Sequence, residues 1–298
     1  MIQLQTLGRV RLQGDRSGGD AGPASAQPKR LALLAYLALM SERGPVRRDT
    51  LLALFWPELG DEEARRALRQ ALHYLRRVVG EDVLVGAGEE LSVSGTRFRC
   101  DAVELERLVE AGEPGPALSL YVGDFLAGFH VPDVSADLEE WVDRTRARLR
   151  RHAATAAWTA AERAELSGDA EGAAILGRRA CELEPDQEGG WRRLMTLQDR
   201  LGDRAGALRT YDELAVRLER EFDAEPSPES AEVAARLRAA RSLRAATAET
   251  AGPAGTPEIS DAPAGPAATA APNRRWLPLA AIAVVAVIAA VLIAHHPA

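Results

Sequence analysis

Residues 62–79 read EEARRALRQALHYLRRVV, and their spacing decides the fold. On a helical wheel, Ala64, Ala67, Leu68, Ala71, Leu72, Leu75, Val78 and Val79 share one arc of about 140°. Arg65, Arg66, Arg69, Gln70, His73, Arg76 and Arg77 share a second arc of about 140°, and the two do not mix. One stripe is built to pack on a core. The other presents five guanidinium groups, an imidazole and an amide along about 18 Å of helix. Like charges this close repel by a few tenths of a kcal/mol per pair, so the face suits an anionic partner. Arg fits phosphate and guanine bidentately, and Gln fits adenine. A solvated face stays open as an alternative, because Glu62 and Glu63 can pair with Arg65 and Arg66, and Arg is this chain's ordinary cation.

The flanking order adds to this pattern. Ile2-Leu4 and Val10-Leu12 alternate like edge strands around Gly8, and 14–27 is a Gly/Ser/Pro-rich loop. Arg30–Met40 is nearly all apolar and too short to span a bilayer, so it reads as a core helix. Thr50–Phe55 forms a second helix with Asp49 as its expected N-cap. A turn at Trp56–Gly60 leads into the basic helix. Val83–Val85 and Leu91–Val93 then make a hairpin, and Phe98 starts a closing strand. Short helix, turn, basic helix and hairpin is the order of a winged helix-turn-helix, in which the long helix enters the major groove. Arg47 and Arg48 stand at the start of the second helix, placed for phosphate contact.

The middle of the chain, 101–241, is helical in pattern and repeats itself. Gly168-Asp169 recurs as Gly202-Asp203, and Gly172-Ala173 recurs as Gly206-Ala207, each at an offset of 34. That is the period of tetratricopeptide helix pairs. Small Ala173 and Ala207 allow close helix approach, and Pro185 ends a helix. Two pairs need flanking helices to complete a stack, for which Pro116–Ala127, Leu138–Leu149 and Glu229–Arg241 are the candidates. Trp141, Trp158 and Trp191 sit at helical positions suited to inter-helix core.

The tail reads differently. Residues 242–275 are rich in Ala, Pro, Gly and Thr and form a tether. Residues 276–294, WLPLAAIAVVAVIAAVLIA, are 19 uncharged residues, long enough for a bilayer core of about 30 Å. Arg274 and Arg275 precede them, so a single-pass helix would hold the N-terminal body in the cytoplasm, at the inner membrane.

Composition sharpens these classes. The 298-residue chain has a net charge of −7. Residues 1–100 carry 15 basic against 12 acidic side chains, and 101–298 carry 22 against 32. A cationic head precedes an acidic body. Of 37 basic residues only Lys29 is lysine, and Gln27-Pro28 before it excludes a G-x-x-x-x-G-K-[ST] nucleotide loop. Cys100 and Cys181 have no paired spacing, and His130, His152, His295 and His296 lack metal-ligand spacing. Asp124 and Asp133, near Tyr121 and His130, suit turns and caps better than acid–base work. No G-x-S-x-G is present. No enzyme, cofactor or metal is expected.

At this point the chain resembles the SARP-type bacterial transcriptional regulators, which join an OmpR-like winged helix to a tetratricopeptide-like bacterial transcriptional activator domain. In the head the resemblance rests on Leu7-Gly8, Pro28-Lys29-Arg30, Arg48-Asp49-Thr50-Leu51, Leu54-Phe55-Trp56-Pro57 and Ala64 through Arg77. In the body it rests on Ala117-Leu118-Ser119-Leu120-Tyr121, Gly123-Asp124-Phe125-Leu126, Glu140-Trp141, Arg148-Leu149, Glu184-Pro185, Gly202-Asp203, Ala207 through Tyr211, and Glu225 through Glu229. It covers residues 2–240 and implies a mainly α chain there, a winged helix at 1–100 and an all-α tetratricopeptide-like domain at 101–241, to which the tail reading adds a tether at 242–275 and a single transmembrane helix at 276–294. It implies a regulator that binds double-stranded DNA through Arg65, Arg66, Arg69, Gln70, His73, Arg76, Arg77, Arg47 and Arg48. It further implies RNA polymerase or another protein as partner of the helical domain, and a dimer on DNA. Two departures stand out. The wing reads Gly88-Glu89-Glu90-Leu91 where the family often has Gly-Tyr-x-Leu, so two carboxylates face phosphate. The ATPase module of larger members is replaced by the tether and anchor. A membrane-anchored tetratricopeptide adaptor without DNA binding is the competing reading, and the tail could also be the anchor of a longer protein.

Overall fold

The structure is a computed structural model that describes residues 1–14, 28–94 and 97–250, with side chains to residue 239. The loop at 15–27, the segment read as a membrane span and most of the tether lie outside the described residues. Among the described residues no helix is long and apolar enough to cross a membrane.

The head opens with strands β1 (Ile2–Gln5) and β2 (Arg11–Gln13), paired antiparallel, as the alternation predicts. Helix α1 (Pro28–Ser41) follows, and every residue from Leu31 to Leu39 is buried. An all-apolar sequence of this length is stable in water only when surrounded, and α1 packs against elements on several sides. Next come β3 (Val46–Arg47), α2 (Arg48–Phe55), α3 (Asp61–Val79), the hairpin β4 (Leu84–Ala87) and β5 (Glu90–Val93), and β6 (Phe98–Cys100). Two three-stranded sheets result, in the orders β2-β1-β6 and β3-β5-β4. Strand β6 runs parallel to β1, with Ile2 opposite Phe98, so the end of the head closes on its beginning.

Asp49 is not the N-cap of α2. Arg47 takes that place with extended φ −69° and ψ 140° and no side-chain cap. The reason is β3, which the sequence pattern is too short to reveal. It feeds directly into the helix, and the Arg48 amide donates to the Glu89 carbonyl of the wing instead.

The body continues with α4 (Asp101–Glu110), α5 (Pro114–Leu120), α6 (Ala136–Leu166), α7 (Ala170–Leu183), α8 (Glu188–Arg200), α9 (Arg204–Phe222) and α10 (Pro228–Thr250). The expected helix Pro116–Ala127 stops at Leu120, and residues 121–135 form an irregular strap. The expected helix Leu138–Leu149 is only part of α6, whose 31 residues contain neither Gly nor Pro. Helix α10 likewise runs past Arg241 to Thr250, because Ala-rich sequence without Gly or Pro favours helix even where it lacks aromatic residues. The tether read from residue 242 therefore begins as helix.

The 34-residue repeat is realised in atoms. The Asp169 carboxylate caps α7 by accepting the Gly172 amide at 2.9 Å, and Asp203 caps α9 by accepting the Gly206 amide at 2.8 Å. Gly168 and Gly202 turn at φ +83° and +88°. A Cβ on Gly172 or Gly206 would collide with the capping carboxylate, which explains why glycine recurs there. Ala173 and Ala207 are fully buried where the paired helices meet.

Residue 100 is not a hinge. One core cluster runs from Leu4, Leu33, Phe55 and Leu75 in the head to Phe125, Leu138 and Leu149 in the body. Buried Asp101 accepts hydrogen bonds from the Thr6 amide (2.8 Å), the Thr6 hydroxyl (2.6 Å) and the Leu7 amide (2.9 Å). The Gly8 amide donates to the Asp124 carbonyl, and the Leu126 amide donates to the Thr6 carbonyl.

Candidate nucleic-acid interface

Helix α3 sorts its faces as its periodicity demands. Ala64, Leu68, Ala71, Leu72, Leu75 and Val79 are buried. Each fully buried Leu contributes about 1.5–3 kcal/mol, which fixes the rotation of the helix about its axis. Arg65, Arg66, Arg69, Gln70, His73 and Arg77 are consequently exposed together. Asp61, Glu62 and Glu63 occupy the first turn and Arg76 and Arg77 the last, which complements the helix dipole.

The exposed side chains differ in what they touch. Arg65 lies 3.7 Å from Glu62, both well exposed. The Arg77 guanidinium sits 5.8 Å from the Tyr74 ring, and Arg30 from α1 covers the same ring at 4.4 Å. Arg66, Arg69, Gln70 and His73 have no protein partner among the described residues. Those four form the open centre of the face.

Arg76 and Arg48 do something the helical wheel does not anticipate. Arg76 is half-buried and its Nη2 donates to the Leu84 carbonyl at 3.4 Å. Arg48 Nε donates to the Gly88 carbonyl at 3.2 Å. Both guanidinium groups lie over Gly86 of β4, where a Cβ would stand 3.5 Å from Arg48 and 3.6 Å from Arg76. They brace the wing against α2 and α3, Arg76 at its root and Arg48 at its turn. A glycine inside a strand pattern is the one signal that could have pointed there. Arg47 is exposed and pairs with Asp49 at 3.5 Å.

The wing itself turns at Gly88, φ +58°, in a two-residue loop completed by Glu89. Its tip carries Glu89 and Glu90 with Arg48 beside them at the Gly88 carbonyl, and Arg76 stands at its root on the Leu84 carbonyl. The basic face, the Arg48–Arg76 pair and Arg47 thus stand on three consecutive elements of the head. Fixed guanidinium groups of this kind offer charge-assisted hydrogen bonds to phosphate and bidentate ones to base edges.

The body uses its arginines otherwise. Arg148 pairs with Glu106, Arg178 with Glu213 and Arg200 with Glu165, each at 2.7 Å. Asp124 accepts from the Tyr121 hydroxyl and from Arg150. Burial pulls the Asp124 carboxyl upward, but hydrogen bonds from Arg150 and Tyr121 outweigh it and hold it below the ordinary carboxylate value. Burial, reinforced by Asp124, pushes the Tyr121 phenol up to about 12. The Asp124 carboxylate thus ties Tyr121 to Arg150 of α6, where the sequence pattern suggests a cap or turn. Trp141 packs on Tyr36 and Phe125, so it joins α6 to the head core rather than to another body helix alone.

Comparison with known proteins bears on the same regions. Residues 101–238 match the bacterial transcriptional activator domain family. The chain is 30% identical over 261 residues to the regulatory protein AfsR of Streptomyces griseus, a match that covers 80% of this chain and 25% of that protein. It therefore spans about a quarter of the length of that relative. Among solved structures it is similar to EmbR of Mycobacterium tuberculosis, solved in complex with a low-affinity phosphopeptide. The TM-score is 0.55 at 18% identity, over 84% of this chain and 70% of that one, a likeness of fold.

Proposed function

We propose that the chain is a SARP-type transcriptional regulator, a reading supported by the bacterial transcriptional activator domain match at 101–238 and the likeness to AfsR, and that it binds double-stranded DNA sequence-specifically through α3. The observation that carries the proposal is the clustering of unpartnered Arg66, Arg69, Gln70 and His73 on one helix face, where many arginines of the described body pair with acids. In this reading Arg65, Arg66, Arg69 and Gln70 reach base edges, His73 and Arg77 border them, and Arg76, Arg48 and Arg47 meet phosphates. Arg76 does so from the root of the wing and Arg48 from beside its Gly88 turn, where its charge offsets the Glu89 and Glu90 carboxylates.

The helical domain then serves a protein partner, RNA polymerase being the natural candidate for an activator domain. Residues 276–294 anchor the chain in the cytoplasmic membrane with the regulator on the cytoplasmic side; the support is their length and the flanking Arg274-Arg275.

The test is footprinting and a salt titration with the full chain, since the core that crosses residue 100 rules out cutting the head away there. A protected site whose affinity falls steeply with salt, by a slope of about 0.9 per phosphate contact, is expected. No protection at low salt would overturn the proposal. For the anchor, cell fractionation should find the full chain in the membrane and a chain ending at residue 275 outside it.

A further inference from the structure

A cavity of about 270 Å³ lies beneath the strap of residues 121–135, between α1 and α6. Its apolar wall comes from Ala32 of the head, Phe129 and Val134 of the strap, and Leu138 and Val142 of α6, and the rest of its lining is polar, from His130, Glu139, Asp143 and Arg146. Its volume is just under the roughly 300–1,000 Å³ of ordinary ligand pockets, and larger than the roughly 150 Å³ that holds one benzene ring in a dry cavity.

The strap over it is held in unfavourable backbone. Leu126 and Asp133, near its two ends, adopt φ +49° and +53°, a region that L side chains rarely occupy. Both ends are pinned. Arg146 donates to the carbonyls of Phe125 (2.9 Å) and Leu126 (3.0 Å), and the single lysine, Lys29, donates from Nζ to the Asp133 carbonyl at 2.8 Å. Such backbone persists only where surrounding groups hold it, and it clusters at binding sites.

The mouth has a defined chemistry. Arg146 is consumed by the two carbonyls and by Asp143 at 2.9 Å. Glu139 lines the cavity without a partner among the described residues, and His130 stands beside it. The free charge at the entrance is therefore negative.

We infer that this cavity is a binding site for a small amphiphilic amine, an aryl or short alkyl body inside the walls and an ammonium group on Glu139. Since α1 of the head supplies part of the wall, the occupant would touch both the head and α6.

The full chain is titrated by calorimetry with 4-phenylbutylamine, 4-phenylbutanol and 4-phenylbutyrate. The amine should bind about three- to fivefold more tightly than the alcohol, the worth of one exposed ion pair, and the carboxylate more weakly still. Glu139→Gln should remove the preference for the amine while leaving the alcohol's affinity unchanged. Val142→Phe, which fills the cavity, should abolish binding of all three without changing the circular dichroism spectrum. Equal affinity for amine and carboxylate, binding that survives Val142→Phe, or no binding of any probe would each overturn the inference. It is independent of the DNA proposal, because no step in the test uses DNA.

Discussion

The arginines of α3 and those of the body belong to one compositional habit and end in opposite states. In the body many arginines meet a carboxylate from a neighbouring helix, Arg148 with Glu106, Arg178 with Glu213 and Arg200 with Glu165, and exposed Arg151 and Arg236 stand singly among the described residues. On α3, Arg66 and Arg69 meet nothing among the described residues. The acids that could neutralise them stand in the first helical turn, where only Arg65 is within reach of one. A chain rich in arginine is thus no evidence for nucleic acid; an arginine face left uncompensated beside a body that compensates its own is. Exposed pairs contribute little to stability, about 0–1 kcal/mol each, so the body's pairs fix helix register more than they hold the fold.

The contrast can be broken most directly by Arg66→Ala/Arg69→Ala. Losing two base contacts at about 1–3 kcal/mol each should weaken DNA binding about 30-fold or more and relax the base preference at the contacted positions. The melting temperature should stay within about 2 °C, since neither side chain touches the fold. A stability loss with unchanged affinity would reverse the assignment of the two regions.

Arg146→Ala is the body's counterpart. It frees the carbonyls of Phe125 and Leu126 and lets the strap relax. About 2 kcal/mol of stability should go, read as a lower urea midpoint, with DNA affinity kept within about threefold.

Glu89→Gln/Glu90→Gln tests the wing. If the acidic tip opposes phosphate, binding should tighten about two- to fivefold at low salt and the gain should vanish at high salt.

The smallest effect concerns acid. Asp124 is held below its ordinary value, so the stability it contributes is fully present above pH of about 4 and is lost as pH falls through the depressed folded-state value. Asp124→Asn should flatten the decline of melting temperature below about pH 4 and change nothing in DNA binding at neutral pH.

Much of the candidate site was legible beforehand because it lies within one helix. Six of the seven predicted α3 side chains are exposed together, as spacing alone requires once Leu68, Leu72 and Leu75 are buried. The exception, Arg76, turns to the wing, and its partner Arg48 comes from another element; no periodicity relates residues 48, 76 and 86. The repeat was equally legible, since Gly168-Asp169 and Gly202-Asp203 are local capping signals. The Asp49 cap failed because a two-residue strand leaves no period to read. The helix expected to reach Ala127 failed because the strap's φ values at Leu126 and Asp133 depend on Arg146 and Lys29, distant in sequence.

Sequence by itself therefore determined the amphipathic sorting of α3, the 34-residue helix pairs and the separation of a cationic head from an acidic body. All three follow from short-range spacing and composition. Only the tertiary structure decided that head and body share one core through Asp101, Thr6 and Leu7, that Arg48 and Arg76 converge over Gly86, and that a strained strap roofs a cavity beside α1. Those features join residues tens of positions apart, and only packing selects which distant groups will satisfy a buried carboxylate or a stranded carbonyl.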